Sequence, residues 1–213
     1  MNKIIERILD LFYPPRCAFC RRLLTEKEKG VCRFCRKHYE NTCVRREIKN
    51  TEGCIAPFRY EDRVRDSLLR YKFHGVTAYG GAYADFLAKC IDESRISCDI
   101  ITWVPLSRKR LRRRGYDQAR ILAEETAKRL GLPCVRLLEK RIDTRPQSGI
   151  GNAQMRQKNA SGVYVCCDPE NAAGRQILLI DDIVTTGATL SECAAMLKKA
   201  GCAGVYAAAA ASR

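Results

Sequence analysis

Apolar positions along this chain recur in two periods, and from about residue 53 the two alternate regularly. Residues 55–60 (IAPFRY) predict a strand, and VRDSLLRYKFHG (64–75) predicts a helix stopped by Gly75. A second helical segment covers 77–93, with Tyr79, Tyr83, Phe86, Leu87 and Cys90 on one face. DIITWVPL (99–106) predicts a short apolar strand ended by Pro105. Residues 116–130 predict a helix with Ile121, Leu122, Ala127 and Leu130 inward, closed by Gly131 and Pro133. VRLLEK (135–140) predicts a strand, and the polar stretch 141–161, with Pro146, a loop. RQILLIDDIV (175–184) is the strongest strand pattern and TLSECAAMLKKAG (189–201) the strongest helix; VYAAAAA (205–211) predicts a last strand. Near the start, Ile4, Ile5, Ile8, Leu9 and Phe12 recur at helical spacing, which predicts a short amphipathic helix ending before Pro14. Continuous apolar strands alternating with amphipathic helices predict an α/β fold with a mostly parallel sheet covered on both faces. In such sheets ligands bind outside the carboxyl ends of the strands.

The 213 residues and 46% hydrophobic content suffice for one core plus a small extra module. No apolar run approaches the roughly 20 residues that span a bilayer. Glu6, Arg7 and Asp10 interrupt what a secretory signal would keep uncharged. Without a signal, the 13 cysteines point to a reducing cytoplasm and to thiolates serving a metal, not to a disulfide framework. Lys and Arg outnumber Asp and Glu by 39 to 24, a net charge of +15, so anionic partners are expected.

The first module, residues 1–53, carries CAFC and CRFC. Cys17, Cys20, Cys32 and Cys35 form two C-x-x-C pairs that complete a tetrahedral four-thiolate set, for which Zn²⁺ is the best match. All four positions are filled by protein, so this zinc is structural. His38 reads as a surface histidine, and Cys43 and Cys54 as unpaired leftovers. Cys90, Cys98, Cys134, Cys193 and Cys202 look like small core residues, and the adjacent Cys166 and Cys167 lie at a strand end.

The second module, residues 54–213, holds the most informative stretch, ILLIDDIVTTGATL (177–190). Asp181 and Asp182 fall at the carboxyl end of its strand. Thr185, Thr186, Gly187, Ala188 and Thr189 turn into the next helix, where free N–H groups and the helix dipole favour a phosphate. Thr189 and Glu192 have the spacing of a capping box. Carboxylates beside a phosphate pocket repel a second anion and must face hydrogen-bond donors or a metal ion. A phosphate close to a pair of hydroxyls describes ribose 5-phosphate. Neither G-x-x-x-x-G-K-[ST] nor G-x-G-x-x-G occurs in the chain.

The stretch LLIDDIVTTGAT resembles the 5-phosphoribosyl-1-diphosphate (PRPP) motif of type I phosphoribosyltransferases. With YPPRCAFC, RYKFHG, VPLSRKRLRRRGYDQA and DTRPQSG, it makes the chain similar to the ComF family (ComFC or GntX-like competence proteins) over nearly its full length. The resemblance implies that Asp181 and Asp182 hold the ribose diol and 185–189 the 5-phosphate, with Mg²⁺ accompanying PRPP. It places Pro105, Leu106, Ser107 and Arg108 at the pyrophosphate loop, and 141–165 as a loop that closes over the site. It also implies a role in handling incoming single-stranded DNA with a helicase-like partner. Two features depart from the family: Tyr116-Asp117-Gln118 stands where Phe-Asn-Gln is usual, and the further C-x-x-C pairs are reduced to single cysteines, which suggests one zinc.

The run SRKRLRRRGYDQAR sets Arg108, Lys109, Arg110, Arg112, Arg113, Arg114 and Arg120 against one acid, Asp117. Such a cluster can neutralise nucleic-acid phosphates, with Tyr116 stacking on a base, or clamp a diphosphate, or remain a solvated turn. The expected division puts Arg108 or Arg110 toward the ligand and Arg112 to Arg114 outward. Three functions follow: a DNA-uptake factor binding PRPP-type ligands and single-stranded DNA, a working phosphoribosyltransferase with Thr144, Gln147 and Arg156 in its closing loop, or a non-catalytic adaptor.

Overall fold

The computed structural model describes residues 14–40, 42–142 and 162–213. The N-terminal helix expected over Ile4–Phe12, and Thr144, Gln147 and Arg156 of the expected closing loop, lie outside the described residues. A helix α1 (Arg33–His38) follows the first cysteine pair, with Cys32 accepting the Cys35 N–H at its start. Strands β1 (Val44–Arg46), β2 (Gly53–Ala56) and β3 (Phe58–Arg59) come next. The single strand expected over 55–60 is two pieces because Pro57 offers no N–H to a ladder. Helices α2 (Asp62–Phe73) and α3 (Tyr79–Glu93), strand β4 (Ile100–Trp103), and helices α4 (Arg108–Arg114) and α5 (Gln118–Leu130) carry the chain to its middle. Strands β5 (Leu138–Lys140) and β6 (Tyr164–Cys166), the turn α6 (Pro169–Ala172), β7 (Gln176–Val184), α7 (Ala188–Lys199) and β8 (Gly204–Ser212) complete it.

The main sheet runs β1-β2-β8-β7-β4, with β3 also on β8. β2, β4, β7 and β8 are parallel, and β1 is antiparallel on the edge. Thus the main sheet begins at Val44, inside the segment that the sequence assigns to the zinc module. Alternate β7 residues face opposite layers: Leu178 and Ile180 join α3 and α5, while Ile177 and Leu179 join α7. Ala207–Ala211 of β8 are fully buried, and their small side chains let both helix layers approach the backbone.

Three further expectations are corrected. The strand expected over 135–140 is present only at Leu138–Lys140. Only Cys134 bridges to Ile101, and Leu138–Lys140 turn away to pair antiparallel with β6. The arginine run, for which a solvated turn is one of three readings, is a helix, α4. It lacks an apolar period, yet Ser107 Oγ accepts the Arg110 N–H at 3.3 Å, arginine is a good helix former, and left-handed Gly115 (φ 82°) closes it. Cys43 is no leftover and Cys90 no simple core residue: the two are joined in a disulfide that links the approach to β1 with α3, their Cα atoms 6.0 Å apart. The other eleven described cysteines are free.

The order of the strands locates a crevice. From β4 the chain moves outward to the Cys134 bridge, whereas from β7 it moves the other way to β8. The direction of winding therefore reverses between β4 and β7, where ligand crevices open in sheets of this kind. Trp103, the last residue of β4, pairs with Ile180, so Asp181 and Asp182 project just past the end of β4.

Candidate ligand site at the carboxyl end of the sheet

Past β7 the chain turns through Thr185, Thr186 and Gly187 into α7. Gly187 is left-handed (φ 77°), and a Cβ there would meet Ile48 Cδ1 at 3.0 Å, so both conformation and space select glycine. Asp181 and residues 183–190 line a shallow pocket of about 30 Å³. Arg46 of β1 donates to the Thr185 carbonyl at 2.5 Å and to the Arg213 carbonyl at 3.2 Å, which ties the loop to the chain end. Thr186 Oγ1 accepts the Ala188 N–H at 3.4 Å. The expected capping box does not form. Gly187 occupies the cap position without a side-chain bond, and Glu192 faces the backbone N–H groups of Val163 and Tyr164.

The two aspartates occupy different surroundings because consecutive strand residues point to opposite faces. Asp181 is half-buried and accepts the Asp182 N–H at 2.8 Å. Burial pushes its carboxyl up to about 8, and the adjacent Asp182 charge adds to the shift. Asp182 is 4% exposed and must be satisfied internally. Lys72, near the end of α2, lies 3.0 Å from its Oδ2, and Gln118 Nε2, at the start of α5, donates to the same oxygen at 2.7 Å. Gln118 is itself held by Arg114, which donates to its Oε1, and its carbonyl accepts the Tyr71 hydroxyl at 2.7 Å. Lys72, Gln118 and Arg46 carry the site, yet sequence reasoning gave them no role. For Lys72 and Gln118 the only signal was that RYKFHG and GYDQA mark the family; Arg46 had none.

The proposed pyrophosphate-loop residues open onto a different and larger space. Pro105, Leu106 and Arg108 line a cavity of about 590 Å³ with Trp103, Tyr116, Asp117, Arg120, Glu139 and Lys140. Ser107 is buried as the α4 cap. The Leu106 N–H is taken by Asp117 Oδ2 at 3.2 Å, and the other Asp117 oxygen caps α5 by accepting the Arg120 N–H at 3.2 Å. Burial raises the Asp117 carboxyl above its ordinary range.

Of the residues considered for DNA, Arg112 and Arg113 are exposed on α4 and Arg110 is half-buried. Arg114 turns inward instead of outward, with its guanidinium 5.1 Å from the Phe73 ring centre. The Tyr116 hydroxyl donates to the Tyr71 carbonyl at 2.6 Å and accepts the Gly75 N–H at 3.2 Å, which docks it on the end of α2. Arg108 pairs with Glu139 at 3.0 Å.

In the N-terminal ribbon, the sulfurs of Cys17, Cys20, Cys32 and Cys35 lie within 4.8 Å of one another, the one such cluster among the described residues. Tetrahedral Zn–S bonds of about 2.3 Å demand sulfurs roughly 3.8 Å apart, and Cys20 and Cys32 are 3.7 Å apart. The donor set therefore fits zinc. Burial opposes ionisation of Cys32, but the Arg22 side chain and the Cys35 N–H outweigh it and bring the thiol down to about 6. His38 is exposed against Tyr39 and stands outside the cluster.

A reversed-winding parallel sheet with a threonine-rich loop at its carboxyl end and a four-cysteine ribbon defines a zinc-ribbon protein of the phosphoribosyltransferase fold. Residues 117–213 match the phosphoribosyl transferase domain family and residues 8–47 the double zinc ribbon domain. Similarity extends over whole chains as well. It is 31% identical over 224 residues to the DNA utilization protein YhgH of Salmonella typhi, covering 92% of this chain and 96% of that one. It is 24% identical over 215 residues to Competence protein F of Haemophilus influenzae, covering 89% and 93%. With Competence protein ComFC of Bacillus subtilis, identity is 27% over 196 residues, covering 87% and 72%. The chain belongs to the ComF family.

Proposed function

We propose that this protein acts in competence-type DNA utilization, that its phosphoribosyltransferase domain binds a PRPP-type ligand, and that the outer face of α4 binds single-stranded DNA. One observation carries the ligand reading: Asp181 and the 185–189 turn line one pocket beside the crevice where the sheet reverses its winding. The N–H groups of that turn at the start of α7 suit a 5-phosphate, and the Asp181 carboxylate beside them suits ribose hydroxyls. Asp181, the carboxylate lining the pocket, together with the ligand's diphosphate oxygens, offers the oxygen set that Mg²⁺ requires. When bound, Mg²⁺ would neutralise the diphosphate charge. Names of relatives that specify competence and DNA utilization support the biological role.

Calorimetric titration with PRPP and Mg²⁺ tests the ligand site. Saturable binding is expected for the wild type and its loss for Asp181→Asn/Asp182→Asn with zinc content unchanged; absent binding to folded, zinc-loaded protein sinks the reading. For DNA, Arg112 and Arg113 are exposed, with no carboxylate at ion-pair distance among the described residues. Anisotropy with a labelled oligothymidine should show an affinity that falls with salt. The log–log slope should shrink by about 1.4 in Arg112→Ser/Arg113→Ser, about 0.7 per lost phosphate contact. An unchanged slope removes α4 from the interface.

A further inference from the structure

Cys43 and Cys90 are joined, while the other eleven described cysteines are free. The bond is asymmetric: Cys43 is exposed on the approach to β1, and Cys90 is 2% exposed within α3. A thiol in solution therefore reaches the Cys43 sulfur and not the Cys90 sulfur. The accessible end also has a cation beside it. The Cys43 sulfur lies 3.9 Å from Ser94 Oγ, to which Arg45 donates at 3.3 Å, and positive surroundings favour an attacking or leaving thiolate. What the bond anchors is the wall of the 185–189 turn. β1 begins one residue past Cys43 and is a three-residue strand on the edge of the sheet. The segment it opens meets the turn and the start of α7 in three places. Arg46 donates to the Thr185 carbonyl at 2.5 Å, Ile48 fills the space beside Gly187, and Asn50 Nδ2 donates to the Ser191 carbonyl at 3.1 Å. So short a strand makes few ladder hydrogen bonds, and the cross-link to α3 fixes its beginning.

We propose that Cys43–Cys90 is a thiol-exchange site for small anionic thiols of the glutathione class, and that its redox state sets the rigidity of the 185–189 turn through β1 and Arg46. In the exchange a thiolate attacks the Cys43 sulfur, the Cys43–Cys90 bond breaks, and Cys90 leaves as a thiolate. A second thiolate then attacks the added sulfur, releases the Cys43 thiolate and departs with the first thiol as their disulfide. Each protein thiolate takes up the proton that an attacking thiol gave up. Two electrons thus pass from the two thiols to the protein, and oxidised glutathione reverses both steps. What the turn binds rests on the PRPP-type reading above; the redox site itself does not.

The test equilibrates the zinc-loaded full chain in glutathione buffers of graded ratio, followed by acid quench, unfolding, alkylation and peptide mass spectrometry. Cys43 and Cys90 should lose and regain alkylation together, with zinc content constant. In ¹⁵N relaxation, the order parameters of the 185–189 amides should fall from about 0.85 in the oxidised form to below about 0.6 in the reduced form. Ribose 5-phosphate affinity should weaken about 10-fold on reduction, as expected when about a tenth of the molecules keep the turn in its binding shape. Cys43→Ser should behave as the reduced form in every buffer. Arg46→Gln should leave the turn loose in both redox states while β1 still responds. Absence of a Cys43–Cys90 bond in the most oxidising buffer overturns the proposal, as does a turn whose order parameters ignore reduction or still respond in Arg46→Gln. Loosening that spreads to β4 assigns the bond to general stability and also overturns it. Failure of both redox forms to bind ribose 5-phosphate removes the ligand reading and leaves the redox site standing.

Discussion

The zinc ribbon and the carboxyl end of the sheet are both built around clustered polar side chains, but they are built in opposite ways. The ribbon draws its four thiols from a stretch of 19 residues, 17 to 35, and every ligand position is filled from within it. The sheet end gathers Lys72, Gln118 and Asp182 from three elements, with 110 residues between the first and the last. It leaves the 185–189 turn open to a ligand. A closed local site can supply folding energy and nothing else, whereas an open site assembled at long range needs a rigid scaffold and is then free to bind. The two regions still share one core. Phe19, between the cysteines of the first pair, packs on Phe58, Tyr83 and Phe86, and Arg70 of α2 donates to the Ala18 carbonyl at 3.0 Å.

The largest expected effect falls on the closed site. Cys32→Ser should abolish stoichiometric zinc and unfold the ribbon, because roughly 10 kcal/mol of metal binding in such modules is folding energy. Elemental analysis and amide hydrogen exchange of residues 14–40 check this. Native protection without zinc would mean that packing of Phe19, not the metal, holds the ribbon. Next comes Lys72→Met, which leaves the buried Asp182 carboxylate with Gln118 as its one remaining side-chain donor among the described residues and should cost about 2–3 kcal/mol in denaturant unfolding. Adding Asp182→Asn should return most of that loss. If the single variant is neutral, the pair is not what holds the open site together. The smallest effect belongs to Gly187→Ala, expected to cost about 1–2 kcal/mol through the left-handed backbone and the crowding of Ile48. Its test is thermal unfolding alongside ribose 5-phosphate affinity. A stability loss with intact affinity would separate the loop's packing from its ligand role.

Much of this was legible in the sequence for identifiable reasons. The C-x-x-C pairs and the LLIDDIVTTGAT stretch are contiguous, so both stand out along the chain, and the buried strands β4, β7 and β8 are continuous apolar runs. Helix α4 escaped because RKRLRRR has no apolar stripe to show its period; its evidence lay in Ser107 and Gly115 at its two ends. The capping box between Thr189 and Glu192 failed because Glu192 met the backbone of Val163 and Tyr164, partners about 30 residues earlier in the chain. The Cys43–Cys90 disulfide joins residues 47 apart, a pairing that no local pattern could suggest.

Sequence by itself determined the family, the four-cysteine ribbon and the principal elements α2, α3, β4, α5, β7, α7 and β8, since each depends on residues close together in the chain. Tertiary structure alone decided that Asp181 and Asp182 face different partners, that Lys72 and Gln118 hold the second of them, and that Arg114 turns inward against Phe73. Those outcomes follow from strand alternation and from which helix ends the fold brings to the edge of the sheet. Both are properties of packing, to which short-range spacing is blind.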